Sequence, residues 1–382
     1  MNISIRQVKV AYQIVQAILV FFLSSSTVIP QKTVSSAHEP GDSVKIGLLI
    51  PDNKSAAAEY GAGLAIRKAN ENGGFHGIPF RLVTRSMEGP WGTGSKQAVS
   101  LIFEEKVWAL LGSHDGRNAH LVEQAATKAI VPFVSAWAGD PTLSQAFVPW
   151  FFNCVPNDFQ QAEMLFNEIC LKRSLSRIAL ISDTDYDSNL AATNFLKKVK
   201  LENKPDPYQF IYENFKGDIN EMLSRIQTAK AECIVLFCNP SASLEIFRLI
   251  KERKMNQPVF SAHYLLNEDA LSASDLKYYD NNIMIPSGKW SAPEFSAFKQ
   301  EYREAYGESP GVVAAYSYDA ANVLIRAIMN AGTSDREEIQ KALETISYKG
   351  ITGTISFDDM GNRKGPYLMT TLKDGTPFMP DK

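Results

Sequence analysis

The chain has 382 residues, more than one compact core ordinarily holds, so two domains are expected. Apolar residues make up 45% and charged residues 21%, the balance of a globular protein rather than a disordered or fibrous one. A formal charge of −3 argues against a nucleic-acid partner, which calls for a strongly basic face.

The first element in chain order is a targeting signal. Arg6 and Lys9 precede the apolar run Ala17-Ile18-Leu19-Val20-Phe21-Phe22-Leu23, and small polar residues lead on to "VSSAHEP". A charged start, a short apolar stretch and a small-residue exit predict a secretory signal peptide over residues 1–37, cleaved after Ala37. An uncleaved anchor is the other reading, and the apolar run is short for a span of about 20 residues. Loss of residues 1–37 removes three cations and no acid, which takes the formal charge to −6. The expected product is exported and free of the membrane.

From residue 44 strands and helices alternate. "VKIGLLI" reads as a continuously apolar strand, and "GAGLAIRKANENGG" as a helix that ends on a glycine pair, where a left-handed cap costs little. "IPFRLVTRS", "VWALLG", "IVPFVSA" and "VPWFFNCVP" read as further strands, with helices in "SKQAVSLIFEEK" and "RNAHLVEQAATKA". The pattern then restarts at "RIALIS", followed by strands "PYQFIY", "ECIVLF", "QPVFSA" and "NNIMIP". Helices are expected over 188–200, 219–230 and 241–254, and again near 267–277. Helices 293–306, 311–330 and 335–347 follow, then a hairpin-like "GTISFDDMGNRKGPYLMTTLKDG". Apolar strands separated by helices predict right-handed parallel βαβ units covered on both faces. The expected fold class is α/β, with two doubly wound parallel-sheet lobes.

In such sheets ligands bind beyond the carboxyl ends of the strands, where helix N-termini offer free N–H groups. The turn "GSHDGRNAH" has two readings. In one, small residues form an anion-binding nest with Gly116, Arg117 and Asn118. In the other it is an ordinary turn, with Asp115 as helix cap and Arg117 solvated. The next turn, "SAWAGDPTLS", offers Ser135, Ala136, Trp137 and Gly139, with Trp137 either covering a ligand or packing on Pro141. In the second half Tyr186, then Cys238 and Asn239, then His263 stand at strand ends. Trp91 lies on another strand-end loop and is either a further wall or a surface aromatic. Catalysis lacks support: GxSxG, GxxxxGK[ST], GxGxxG and HExxH are absent. The pair Asp183/Asp185 reads as a solvated capping loop before it reads as a metal or catalytic site. No enzyme, cofactor or metal is expected. The four cysteines form no CxxC pair and are expected to be buried thiols, with one disulfide as the other reading.

These segments, in this order and spacing, resemble the type I periplasmic solute-binding proteins of the leucine/isoleucine/valine-binding class, which serve ABC transporters. "VKIGLLIP", "GAGLAIRKANENGG", "ALLGSHDGRNA", "VPFVSAWAGDPTLS", "FFNCVPNDFQQA", "RIALISDTDYDSN", "AAYSYDAANVLIRAI" and "GITGTISFDDMGNRKGPY" carry the resemblance, over about residues 43–375. It implies a three-strand hinge, with crossovers near 154–158, 284–288 and 346–352. It divides the chain into lobe 1 (43–155 plus 287–347) and lobe 2 (156–286 plus 348–382). It further implies a small-molecule ligand held between the lobes, a membrane ABC permease as partner, a monomer, and a periplasmic address.

By the same resemblance, a ligand α-carboxylate meets the turns at Gly116-Arg117-Asn118 and Ser135–Gly139. Tyr186 closes over the ligand, and further contacts come from Cys238-Asn239. The acid that pairs a ligand ammonium in this family falls on His263 here. An ordinary α-amino acid would then leave its ammonium unpaired, which is costly. With Arg117, Trp137 and Trp91, the expectation is a small anionic ligand, aromatic or amino-acid-like. A ligand-sensing module of a signalling system is the alternative.

Overall fold

In the computed structural model, residues 43–378 are described apart from Ser113, Ala146, Phe147 and Lys216. The predicted signal peptide lies outside the described residues. The first half builds a five-stranded sheet from β1 (Val44–Ile50), β2 (Phe80–Ser86), β3 (Ala109–Gly112), β4 (Phe133–Ser135) and β5 (Phe151–Asn153). Its order is β2-β1-β3-β4-β5, and every neighbouring pair is parallel. The intervening helices are α1 (Ala57–Glu71), α2 (Thr93–Phe103), α3 (Gly116–Lys128) and the short α4 (Thr142–Gln145). β1, β3, β4 and β5 are buried almost throughout because helices cover both faces, which is why they read as unbroken apolar runs.

The second sheet has seven strands: β6 (Ile178–Ser182), β7 (Tyr208–Ile211), β8 (Cys233–Phe237), β9 (Val259–Ser261), β10 (Ile283–Gly288), β13 (Tyr367–Lys373) and β14 (Thr376–Phe378). Its order is β14-β13-β10-β9-β8-β6-β7. The five strands from β10 to β7 are parallel, whereas β13 and β14 join antiparallel at one edge. The expected closing hairpin is therefore split. Its first part pairs as β11 (Tyr348–Gly350) with β12 (Gly353–Ile355), and its second part extends the seven-stranded sheet. The helices of this half are α5 (Asp158–Phe166), which runs on into a π-helical turn over Asn167–Lys172, α6 (Tyr186–Leu201), α7 (Ile219–Thr228), α8 (Pro240–Glu252) and α9 (Ala273–Lys277). The helix expected near 267–277 is shorter than its sequence signal, because Ser272 caps it and it starts only at Ala273.

After β10 the chain returns to the first sheet as α10 (Ala292–Tyr306), α11 (Val312–Ala331) and α12 (Arg336–Glu344). α11 packs along α1, and Gly61 sets how closely. A Cβ there would lie 2.1 Å from the Ala314 carbonyl oxygen, so only glycine permits the approach. The chain thus passes between the sheets three times, after Asn153, after Gly288 and after α12.

One side chain ties these passages together. Arg363 is 1% exposed and donates to the carbonyls of Cys154 (2.9 Å) and Thr352 (2.8 Å) and to Thr352 Oγ1 (3.1 Å). Thr352 Oγ1 in turn donates to Asp319 of α11 at 2.7 Å, and Asp319 also accepts from the backbone N–H groups of Ile351 and Thr352. Gly288 sits against both, with room for no Cβ: one would lie 2.1 Å from the Thr352 carbonyl. All four cysteines are buried free thiols. Among the described residues no helix is long and apolar enough to cross a membrane.

Candidate functional site

The carboxyl ends of both sheets lead into one gap, and a cavity of about 200 Å³ lies there. Pro51, His114, Asp115, Trp137 and Val313 line it from the first side. Asp185, Asp187, Asn239, Tyr264, Asn267 and Asp269 line it from the second. Every one of these stands in a turn that follows a strand or opens a helix, the place a doubly wound sheet leaves for ligands.

Helix N-termini face this gap, but the chain's own acids fill three of them. Gly116 N, at the start of α3, donates to Asp187 Oδ1 at 3.0 Å. Val313 N and Ala314 N of α11 donate to the Glu268 carboxylate at 2.9 and 2.8 Å. Ala57 N of α1 donates to Asp269 Oδ1 at 3.0 Å. Each contact places an acid of the second side on a helix dipole of the first, the favourable polarity. Two further bonds bridge the gap. Tyr186 OH donates to Asp140 Oδ2 at 2.8 Å, and His263 Nε2 donates to the Trp137 carbonyl at 3.0 Å. The His263 ring also meets Trp137 edge to face, 5.2 Å between centroids.

Burial, then the neighbouring charge of Asp115, pushes the Asp187 carboxyl up to about 7, against the pull of the Gly116 N–H. Burial raises Glu268 to about 7 as well, and raises Asp185 and Asp269. Asp140 goes the other way. Burial would raise it, yet the bonds from His120, Thr142 and Tyr186 hold it down to about 2. Burial lowers His263 to about 4 and lowers His114 too, so both imidazoles are neutral near pH 7.

Of the residues the sequence singled out, Trp137 and Asn239 line the cavity, and Gly116 is one hydrogen bond away through Asp187. His263 stands behind Trp137. Ser135 is buried, its Oγ accepting from Ala138 N at 3.1 Å, and Ala136 is core. Gly139 packs against Asp158, and Cys238 is buried below the turn, where Asn239 caps α8. Asn118 is held by Asp115, through its N–H at 2.9 Å and Nδ2 at 2.7 Å. The start of α3 is therefore a capped one, with Asp115 as the cap.

Two expectations need correction. Arg117 does not line the cavity: it is exposed and lies over the Trp91 ring, 5.6 Å from its centroid, and Trp91 is 69% exposed. It lines instead a neighbouring pocket with Thr184, Asp185, Tyr186 and Asn189 of the other side. Second, His263 does not leave the cleft without an acid for an ammonium, since Asp115, Asp185, Asp187 and Asp269 all border the cavity. The sequence reading gave Asp115 and Asp185 as parts of capping turns and missed Asp187 and Asp269. The spacing of "DTDYD" at 183–187 was the available signal: one acid caps its own helix and the next is left to cross the gap.

Comparison with known proteins decides the family. A family model described as periplasmic binding protein matches residues 43–376. The chain belongs to this family. A Leu/Ile/Val-binding protein homolog 1 of Brucella suis is 24% identical over 327 residues, 84% of this chain and 86% of that one. Glutamate receptor 3.4 of Arabidopsis thaliana is 21% identical over 74% of this chain, which spans only 33% of the receptor. Among solved structures, the branched-chain amino acid transporter substrate-binding protein LivJ of Streptococcus pneumoniae, in complex with isoleucine, superposes with a TM-score of 0.73. The match has 23% identity and covers 87% of this chain and 97% of that one. A solute-binding protein of an ABC transporter from R. palustris, in complex with benzoate, has the same TM-score at 18% identity, over 88% of this chain and 95% of that one. These likenesses show the fold: a periplasmic binding protein with two sheets facing a common gap.

Proposed function

We propose that this protein is the extracytoplasmic solute-binding component of an ABC importer, exported by residues 1–37 and working as a monomer. It divides into lobe 1 (43–155 plus 287–347) and lobe 2 (156–286 plus 348–382), which close on a small solute. The observation that carries the reading is the cavity itself, walled from two sheets that three crossings connect among the described residues. Lobes joined in this way rotate about the crossings, and a solute favours the closed form only through contacts it makes there. A membrane permease then reads the closed shape. Among the described residues that line the cavity none has the arrangement of an activated nucleophile, which fits a solute that is released unaltered.

The test is mass spectrometry of small molecules released on denaturing the purified protein, together with X-ray scattering before and after a released compound is added back. A smaller radius of gyration with the compound, recovered unchanged, supports the reading. Conversion of the compound, or no compaction with any bound molecule, refutes it. The likeness to a plant glutamate receptor supports a second reading, a ligand-sensing module. Capture of a membrane kinase rather than a permease by the solute-loaded protein would favour that one.

A further inference from the structure

We propose that the second half of the chain carries a separate binding site for a small amphiphilic carboxylate, an apolar body with one anionic head. The site is a cavity lined by the end of α8, the π-helical turn after α5, and strands β9, β10 and β13. It opens at the amino ends of β9 and β10, where Val259 and Ile283 begin the strands. Those are the opposite ends from the ones that face the gap, so the proposal does not depend on the solute-binding reading. Three observations carry it.

First, the cavity measures about 700 Å³, within the range of small-molecule sites. Its apolar walls are the buried Phe247, Ile250 and Ile283 together with three methionines, Met255, Met284 and Met369. Unbranched thioether side chains adapt to apolar bodies of varied shape. Second, the charge around it has one sign. Lys172, Arg173 and Lys251 line the cavity, and no aspartate or glutamate is among the described residues that do so, in a chain whose formal charge is −3. Lys172 Nζ and Arg173 Nε share a single carboxylate, Glu168, at 2.9 and 2.8 Å. Lys251 Nζ donates to an amide oxygen, Asn282 Oδ1, at 2.5 Å, and pairs with no carboxylate among the described residues. Third, Arg173 Nη2 donates to Met284 Sδ at 3.0 Å. A thioether is a weak acceptor for a guanidinium, and a carboxylate in its place would form a charge-assisted bond. A ligand with its apolar body against the methionines and its head toward Arg173 and Lys251 meets both demands. A cation of the same shape would face like charges, and a neutral chain would leave the guanidinium on sulfur.

Titration calorimetry on the purified protein tests this with octanoate, octanol and octylammonium, which share a chain and differ in the charge of the head. The expected result is one saturable octanoate site per chain, at least tenfold tighter than for octanol or octylammonium. Lys251→Glu and, as an independent variant, Arg173→Gln should each weaken it about tenfold, roughly the worth of one charge-assisted hydrogen bond. Circular dichroism checks that each variant is folded, and the comparison of the three heads on the unchanged protein needs no variant. Octanol or octylammonium binding as tightly as octanoate overturns the ligand class. Octanoate binding that both folded variants leave unchanged overturns the assignment to this cavity. Absence of saturable octanoate binding overturns the proposal as a whole, and leaves the reading of the cleft untouched.

Discussion

Replacing Arg363 by methionine removes the charge at the centre of the crossings while keeping most of the side-chain volume. Arg363 donates to Cys154 of the first passage and to Thr352 and Thr354 of the third, and its guanidinium stands against Gly288 of the second. The substitution leaves the buried carbonyls of Cys154 and Thr352 without their donor and Asp319 without its nearby cation. Each orphaned buried acceptor costs about 1–3 kcal/mol. Removing one member of a buried charged set costs about 3–5 kcal/mol as a whole. Against a total stability on the order of 10 kcal/mol, that is a large fraction. At about 2 °C per kcal/mol for a chain of this size, the midpoint of thermal unfolding should fall by about 6–10 °C. Differential scanning calorimetry reads it directly. A change under about 2 °C would refute the claim that Arg363 holds the three passages together, whatever its effect on ligand binding.

Three further outcomes follow. Gly61→Ala should lower stability by about 1–3 kcal/mol, because its Cβ would meet the Ala314 carbonyl and force α1 from α11; equal denaturation midpoints would contradict this. Tyr186→Phe removes a bond that exists only while the gap is closed, worth about 1–2 kcal/mol, so scattering should show a larger open fraction without solute and an unchanged fold by circular dichroism. Asp187→Asn keeps an acceptor for Gly116 N–H and removes a carboxyl that titrates at about 7 when folded and near 4 when unfolded. Between those values the folded parent binds more protons than the unfolded one. The charge therefore destabilises increasingly as pH rises through the window, and the variant should gain on its parent from pH 4 to 7.5. A constant difference in melting temperature would reject the shift.

The strands and their order of appearance were legible because a parallel sheet covered on both faces demands unbroken apolar runs, as in "VKIGLLI" and "ECIVLF". The two edge strands at 367–378 were not. β13 alternates and pairs with β10, some eighty residues earlier, and nothing local announces that partner. The strand-end turns were also legible as the place for a site, and two of the residues chosen there, Trp137 and Asn239, do line the cavity. Arg117 falls in a neighbouring pocket with Asp185 and Tyr186 instead, a difference of one helix turn that a strand-end turn does not announce in sequence.

Acids of one side occupy helix N-termini of the other. A helix N-terminus attracts an anion without regard to its source. In a protein that clasps a free carboxylate, that anion belongs to the ligand, and the strand-end turns opposite can stay neutral. Here Asp187, Glu268 and Asp269 reach across and take the positions themselves, so the dipoles are satisfied with protein charge. Burial raises all three carboxyls, with the charges of Asp115 and Asp185 adding to the shift of Asp187 and that of Asp269 to the shift of Glu268. The same bonds thus give the two sides direct contacts with each other across the gap.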